Sequence, residues 1–219
     1  MPAGLSVADV EAVYDRVGRV QDAHRFYEAP ALRALRTHAA FHRAEAVFEV
    51  GCGTGRLAAD LLRDDLPPSA TYRAVDLSAT MVEIAQARLA SFADRASVRK
   101  TDGRLRFDCS AGGADRVVAA YVLDLLSQRE VRTFLKEAHR LLAPSGSLCV
   151  TGLTDGRDLP SRVVASLWRG LHRARPAWVG GCRPLCVRAI LAPDRWRVVH
   201  HEVVTPWGVP SEVLVARPL

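Results

Sequence analysis

Long uncharged apolar segments are missing from this 219-residue sequence. A membrane span needs about 20 consecutive apolar residues, and no window of the sequence approaches that length. The first turns carry Asp9, Glu11 and Asp15, so the apolar core of a signal peptide is missing too. We therefore expect a cytoplasmic protein. Apolar residues make up 49% and charged residues 25%, which is the balance of one globular domain and excludes a disordered or fibrous chain.

Lysine is almost absent, because Lys100 and Lys136 are the only lysines among 30 basic residues. The net charge is +6, yet the segment 157–197 alone carries nine arginines against two aspartates. The positive charge is therefore confined to one part of the chain. Confinement of this kind makes nucleic acid an unlikely partner, because nucleic-acid binding rests on an extended basic surface.

Cysteine pairs that could form a disulfide framework or a metal centre are lacking. The five cysteines are an odd number and are scattered along the chain. Cys182 and Cys186 have neither a second pair nor a histidine at zinc-ligand spacing. We expect all five to be reduced, mostly as small buried apolar residues, and we expect no bound metal.

Strand-like and helical segments alternate between residues 45 and 173. Short apolar runs predict strands, and apolar residues repeated every three or four positions predict helices. The predicted strands are 46–50, 72–75, 97–100, 116–122, 147–152, 196–204 and 212–216. The predicted helices between them are 56–63, 79–92, 128–142 and 160–173. This alternation favours a parallel sheet covered on both faces, and the last two strands, which lack a helix between them, predict an antiparallel edge strand.

The N-terminal residues 7–43 have a helical pattern of their own. Ser6 is a suitable N-cap for a helix that begins at Val7. Pro30 is expected in the first turn of a second helix that continues to His38.

A glycine-rich turn is the sharpest local signal in the sequence. The segment Glu49-Val-Gly-Cys-Gly-Thr-Gly follows the first predicted strand and opens a helix. Its three glycines would let the backbone turn tightly and approach a ligand, while the helix start offers free N–H groups. Asp76 ends the next strand, at about the 20-residue offset expected for a carboxylate that binds ribose hydroxyls.

Two common nucleotide ligands fit this turn poorly. A phosphate-binding loop requires Gly-Lys-Ser/Thr, which the sequence lacks. A dinucleotide fingerprint requires a third small residue where the sequence has Arg56. A ligand with a ribose and a charged amino acid but no phosphate suits the turn better, and S-adenosylmethionine is such a ligand.

Five motifs in order make the chain resemble the class I S-adenosylmethionine-dependent methyltransferases, in particular the small-molecule branch with the ubiquinone and menaquinone methyltransferases. The matching segments are Glu49 to Gly55, Asp76-Leu-Ser with Met81, Thr101-Asp-Gly with Phe107, Asp115 to Leu123, and Leu135 to Gly146. The resemblance covers residues 45–153. It implies a Rossmann-like, doubly wound α/β sheet of seven strands, mostly parallel, with helices on both faces.

The resemblance also implies a division of the chain and the positions that hold the cofactor. Residues 1–44 would form a helical lid, and residues 45–219 the methyltransferase domain, with 155–195 as a substrate-side insertion. Glu49 would reach the amino group of S-adenosylmethionine, and Asp76 would accept from its ribose. The backbone around the carboxypropyl end would come from three glycines, Gly51, Gly53 and Gly55.

The remaining cofactor contacts implied by the resemblance concern the adenine and the methionine part. Leu77 and Met81 would flank the adenine, although core packing is an equally good interpretation of Met81. Asp102 would accept from the adenine amino group, with the Gly103 backbone beside it. Tyr121 would lie near the methionine part.

Methyl transfer requires a nucleophile held in line with the sulfonium methyl and shielded from water, and it releases S-adenosyl-L-homocysteine. Aromatic faces stabilise a cation, and the candidates are Tyr14, Tyr27 and Tyr121. His24 is a candidate general base, with a packed or surface histidine as the alternative.

The acceptor is constrained mainly by an absence. The Asn/Asp-Pro-Pro-aromatic motif of adenine and glutamine N-methyltransferases is missing, and Ala120-Tyr-Val-Leu stands in its place. We therefore expect a small-molecule acceptor, methylated on oxygen, nitrogen or carbon, and a monomeric or homodimeric enzyme. The alternative is a non-catalytic S-adenosylmethionine-binding protein of the same fold.

The predicted helix 160–173 combines an apolar stripe with flanking arginines. This pattern is typical of a surface helix packed on the sheet. It also suits an anionic or lipophilic acceptor, such as a phospholipid or quinone precursor presented at a membrane surface. The stripe consists of Val163, Val164, Leu167, Trp168 and Leu171.

Overall fold

Seven strands form one sheet in the computed structural model, which describes residues 25–219. The strands are β1 (Ala46–Val50), β2 (Thr71–Asp76), β3 (Ala96–Lys100), β4 (Ala114–Ala120), β5 (Leu142–Leu153), β6 (Trp196–Val204) and β7 (Ser211–Pro218). Their order in the sheet is β3-β2-β1-β4-β5-β7-β6. The predicted α/β fold class is confirmed. Tyr14, His24 and the helix expected from Val7 lie outside the described residues.

The antiparallel pairing lies at one edge of the sheet. Strands β1 to β5 are mutually parallel, and β7 runs antiparallel to both of its neighbours. The reversed strand is therefore not the outermost one, because β7 lies between β5 and the edge strand β6.

Five α-helices lie in the part of the chain that the structure describes. They are α1 (Arg25–His38), α2 (Arg56–Asp60), α3 (Ala79–Arg88), α4 (Gln128–Leu141) and α5 (Leu159–Ala174). A wider π-type turn, Leu61–Asp65, continues α2. The prediction for Pro30 is wrong in position: the helix already runs from Arg25, so the proline lies inside α1.

The helix starts have local causes that can be read in the sequence. Ser78 caps α3 by accepting a hydrogen bond from the Met81 amide at 3.2 Å. Ser127 and Glu130 form a reciprocal capping box at the start of α4. Asp158 plays the same part at the start of α5. Such side chains satisfy N–H groups that have no partner within the helix.

Alternate residues of the central strands β1, β4, β5 and β7 pack into one of two cores. Helices α1, α2 and α3 cover one face of the sheet, where Leu35, Leu61 and Ala85 are buried. Helix α4 and the segment 185–191 cover the other face, with Phe134 and Leu148 buried between them. The predicted two-sided covering follows from this alternation, because neighbouring strand residues point to opposite faces.

Strand β4 begins and ends two residues earlier than predicted. The start of β4 is tied to the start of β1 by Asp115. Its carboxylate accepts from the amides of Glu45 at 2.6 Å and Ala46 at 3.1 Å. At the other end of β4 Tyr121 has a positive φ of 52°, so the chain leaves the strand after Ala120. A residue in the left-handed region interrupts the extended backbone of a strand, and the residue types Tyr-Val-Leu do not indicate this conformation.

The end of α1 contacts the edge strand through stacked histidines. The rings of His38 and His200 lie 3.6 Å apart with an interplanar angle of 10°. His200 Nε2 lies 3.1 Å from Glu202 Oε1. The ligand atoms of these three side chains lie within 4.8 Å of one another, so the expectation of no metal stays a prediction.

Candidate cofactor and acceptor site

The candidate site lies where the parallel strands β1, β2, β3 and β4 end. Parallel strands present their carboxyl ends at one edge of a sheet, and this edge is the usual ligand site of open α/β folds. The glycine turn follows β1, Asp76 ends β2, Asp102 follows β3 and Tyr121 follows β4. The fold thus brings the cofactor residues expected from the sequence to one edge.

The glycine turn depends on backbone geometry that only glycine adopts without strain. Gly51, Gly53 and Gly55 have φ values of 72°, 53° and 72°. A Cβ on Gly51 would lie 2.5 Å from Val122 Cγ2, and one on Gly55 would lie 2.9 Å from the Ala85 Cβ. The first and last glycines are therefore required by packing within the protein as well as by any ligand.

Glu49 is a buried acid at the end of β1. Its side chain is 1% exposed, and Tyr72 donates a hydrogen bond from its hydroxyl to Oε2 at 2.8 Å. Burial raises the pKa of Glu49 to about 7, and the negative charge of Asp76 acts in the same direction. Sequence reasoning missed Tyr72 as the partner, because the contact joins residues on two neighbouring strands.

Asp76 connects the glycine turn to the start of α3. Its Oδ2 accepts from the Gly53 amide at 2.8 Å, and its Oδ1 accepts from the Ser78 amide at 3.0 Å. Each carboxylate oxygen can accept more than one hydrogen bond, so a role toward ribose is compatible with these contacts. The structure shows that Asp76 positions the glycine turn and the start of α3.

The two residues expected beside the adenine differ in exposure. Leu77 is partly exposed at the end of β2. Met81 is 0% exposed and is buried in the core. Its burial fits core packing, and its contact with the adenine stays a prediction.

Asp102 and Gly103 lie just beyond β3, next to the end of β2. The Asp102 side chain is exposed and accepts from the Arg104 amide at 2.9 Å, with an ion pair to the same arginine at 3.4 Å. Gly103 has a φ of 81°. Asp76 pairs with Lys100 in the sheet, so Asp102 lies two residues beyond the residue that pairs with Asp76.

Three aromatic residues meet beyond the ends of β4 and β5, and we call them the aromatic cluster: Tyr27, Tyr121 and Trp168. The Tyr27 ring lies 5.9 Å from Tyr121 and 6.2 Å from Trp168, edge to face in both cases. The Tyr121 hydroxyl donates to Ser211 Oγ at 2.9 Å. Burial raises the pKa of both tyrosines well above the usual value, so their hydroxyls stay protonated.

Sequence reasoning missed Asp124, a buried carboxyl just after β4. It is 1% exposed; Oδ2 accepts from the Leu153 amide at 3.3 Å, and Oδ1 has no hydrogen-bond partner in residues 25–219. Burial raises its pKa to about 6. A signal was present, since a single acid interrupts the apolar run Val122-Leu-Asp-Leu-Leu.

Helix α5 divides its apolar residues between two faces. Val164 and Trp168 pack toward Tyr27, and the Trp168 indole donates to the Cys182 carbonyl at 3.0 Å. A second set with a spacing of four residues faces outward, namely Leu159, Val163, Leu167 and Leu171. We call this set the exposed stripe. None of the described helices is long and apolar enough to cross a membrane.

Residues 47–146 match a protein-family model described as "Methyltransferase domain". A curated relative, the tRNA N(3)-methylcytidine methyltransferase Mettl2 of Drosophila melanogaster, is 27% identical over 126 residues. The match covers 56% of this chain and 39% of that protein, so the chain spans about two fifths of the relative's length.

Solved structures of similar fold span nearly the whole chain. Geranyl diphosphate C-methyltransferase from Streptomyces coelicolor, in complex with Mg²⁺, geranyl diphosphate and S-adenosyl-L-homocysteine, has a TM-score of 0.73 at 13% identity, with 100% of both chains covered. The N-methyltransferase NodS from Bradyrhizobium japonicum, with bound S-adenosyl-L-homocysteine, has a TM-score of 0.70 at 19% identity, covering 95% of this chain and 98% of that one. At these identities the likeness establishes the fold.

Proposed function

We propose that this chain, whose residues 47–146 match the methyltransferase domain, transfers a methyl group from S-adenosylmethionine to a small-molecule acceptor. The observation that carries the proposal is the connected edge formed by the glycine turn, the buried Glu49 and Asp76. S-adenosylmethionine is the cofactor of this class of domain. The polar groups present fit it, because carboxylates at the ends of β1 and β2 can accept hydrogen bonds from an ammonium group and from ribose hydroxyls.

Each strand end would hold one part of the cofactor. Glu49 would accept from the amino group, and the backbone of the glycine turn would surround the carboxypropyl chain. Asp76 would accept from the ribose while it keeps Gly53 in place. Leu77 would pack on the adenine, and Asp102 with the Gly103 backbone would bind its amino group.

The bound cofactor supplies an activated methyl group on a sulfonium, so this chain's residues need only orient the acceptor and exclude water. The aromatic cluster lies at the acceptor side of β4. The electron-rich faces of its rings stabilise the positive charge of the sulfonium methyl group while this group is transferred to the acceptor. Tyr121 is fixed for this role by its bond to Ser211. Tyr14 and His24 remain candidates for lid and base.

The exposed stripe on α5 favours a second candidate function. Its four apolar residues are 44% to 76% exposed, and arginines flank them on α5. An acceptor taken from a membrane surface, such as a phospholipid or a quinone precursor, would suit this helix. The relative that acts on tRNA makes a nucleic-acid acceptor a necessary arm of any substrate test.

Calorimetric titration with S-adenosylmethionine, with NAD as the comparison ligand, tests the proposal. The wild type should bind S-adenosylmethionine and not NAD. Asp76→Ala should weaken binding at least about tenfold, because buried partners of a lost carboxylate are left unpaired. Asp94→Ala is the matched control, since Asp94 is exposed at the opposite edge of the sheet.

Two results would contradict the cofactor assignment: unchanged affinity in Asp76→Ala with an unaltered melting curve, or equal binding of NAD. A mass-spectrometric screen for acceptors that gain one CH₂ then identifies the substrate class. Its arms are soluble metabolites, vesicles and a transcribed tRNA. A protein that binds the cofactor but methylates none of these supports the non-catalytic alternative.

A further inference from the structure

A polar group outside the cofactor site lies where β7 begins, on the α4 side of the sheet. Glu212 is 1% exposed and the His201 side chain 10% exposed, with 2.9 Å between His201 Nε2 and Glu212 Oε1. Arg157, from the turn before α5, and Arg188, from the segment before β6, both reach the same histidine. We call Arg157, Arg188 and His201 the arginine–histidine site.

The contacts of Glu212 determine which nitrogen of His201 carries the proton. Glu212 Oε2 accepts from the Val187 amide at 2.7 Å, and Oε1 accepts from the Arg188 amide at 3.2 Å. A carboxylate held by backbone amides is an acceptor, so His201 Nε2 must be the donor toward it. Nδ1 of the neutral ring is then an acceptor with a single lone pair.

The site has more donors than acceptors. Arg157 Nη2 lies 3.2 Å from Nδ1, and Arg188 Nη1 lies 3.1 Å from the same atom. One lone pair accepts one good hydrogen bond, so the two guanidinium groups compete for it. Within residues 25–219 neither arginine has a carboxylate at ion-pair distance, although like charges this close repel each other.

Nearby acids are occupied elsewhere. Asp155 pairs with Arg169, and Asp158 caps α5 through the Ser161 amide at 2.8 Å. The segment 157–197 as a whole carries a large excess of arginine. An anion that accepts from both guanidinium groups would relieve the repulsion and satisfy the competing donors.

We propose that the arginine–histidine site binds the phosphate group of a ligand. Guanidinium groups present paired N–H donors whose geometry matches two oxygens of a phosphate. Glu212, the partner of His201, follows Ser211 in β7, so the site lies at the same edge of the sheet as the aromatic cluster but on the opposite face. Phosphate binding at this site does not depend on the proposed function.

Calorimetry with inorganic pyrophosphate, at constant ionic strength and without cofactor, tests the site. We expect the wild type to bind, and Arg157→Gln and Arg188→Gln each to weaken binding at least about tenfold, the effect of one charge-assisted hydrogen bond. Arg132→Gln on α4 is the matched control, because Arg132 is exposed and carries the same charge. Its affinity should stay within twofold of the wild type.

Absence of binding by the wild type, or an equal loss in Arg132→Gln, overturns the proposal. Equally tight binding of citrate would refute the assignment to phosphate. Sedimentation with vesicles of phosphatidic acid or of phosphatidylcholine separates a lipid source from a soluble one. The affinity for S-adenosylmethionine should be unchanged in Arg157→Gln and Arg188→Gln, so a failure of phosphate binding is distinguishable from a failure of the cofactor assignment.

Discussion

Glu49 couples the stability of the protein to pH. Its folded-state pKa of about 7 lies above the ordinary value of 4.5, because burial disfavours the charged form. The folded protein therefore holds this proton more tightly than the unfolded chain does. The stabilisation is fully present below pH 4.5 and is lost as the pH rises to about 7.

Urea unfolding between pH 5 and 8 measures this effect. Glu49→Gln should flatten the dependence of the unfolding free energy on pH, since the amide does not titrate. Glu83→Gln, an exposed acid on α3, is the matched control and should leave the wild-type slope unchanged. Parallel curves for wild type and Glu49→Gln would show that Glu49 is already ionised in the folded state.

Contacts and burial of individual side chains are the features that the sequence predicted least well. Glu49 and Asp76 could be placed because strand ends and spacing are local properties. The bond from Tyr72 to Glu49 and the burial of Asp124 depend on which strands become neighbours. Met81 illustrates the same limit, because the pattern that contains it is shared by a ligand contact and by a core position.

At the scale of elements, the glycine turn and the chain after β4 depend on each other. Gly51→Ala would place a methyl group 2.5 Å from Val122 Cγ2 in a residue with a φ of 72°. Gly112→Ala is the matched control, because Gly112 has a similar φ of 68° and nothing within 4 Å of a Cβ. Both should lose about 1–2 kcal/mol from the left-handed backbone. Gly51→Ala should lose about 1–3 kcal/mol more from overpacking.

Urea denaturation of the two glycine variants measures the difference. Equal losses would mean that Val122 moves aside without cost, and the close approach would then not constrain the turn.

Most strands and helices could be predicted to within two residues, because apolar runs and capping residues are local signals. The start of β5 is an exception, since this strand begins at Leu142 and not at 147. The end of β4 falls two residues early because the left-handed Tyr121 is held by tertiary contacts. The sequence also could not divide α5 into its inward face and the exposed stripe. Val163 and Val164 are equally apolar, and only the position of Tyr27 decides which of them is buried.

At the scale of the whole molecule, helix α1 packs against one face of the sheet through completely buried side chains. Tyr27 is buried in the aromatic cluster, and Ala31 and Leu35 are completely buried. Removing residues 1–24 should therefore leave the thermal transition of the sheet intact. Removing residues 1–28 takes away Tyr27 as well. This longer deletion should lower the unfolding free energy by about 3 kcal/mol, the scale of losing a buried aromatic side chain.

The same deletion of residues 1–24 tests the part of the predicted lid, residues 1–44, that lies outside the described residues. Turnover should fall much more than the affinity for S-adenosylmethionine, because a lid excludes water during the transfer. Circular dichroism controls for folding. Normal turnover by the shortened chain would show that the N-terminal segment has no part in the reaction.

The position of β7 between β5 and β6 has a consequence for synthesis on the ribosome. Strand β6 leaves the ribosome before β7, yet β7 is the one strand with which it pairs in the described sheet. Until Ser211–Pro218 emerges, β6 has no partner and β5 presents an open edge. Strand β7 thus closes two strand edges at once, and until it has been synthesised this side of the sheet exposes unpaired backbone groups.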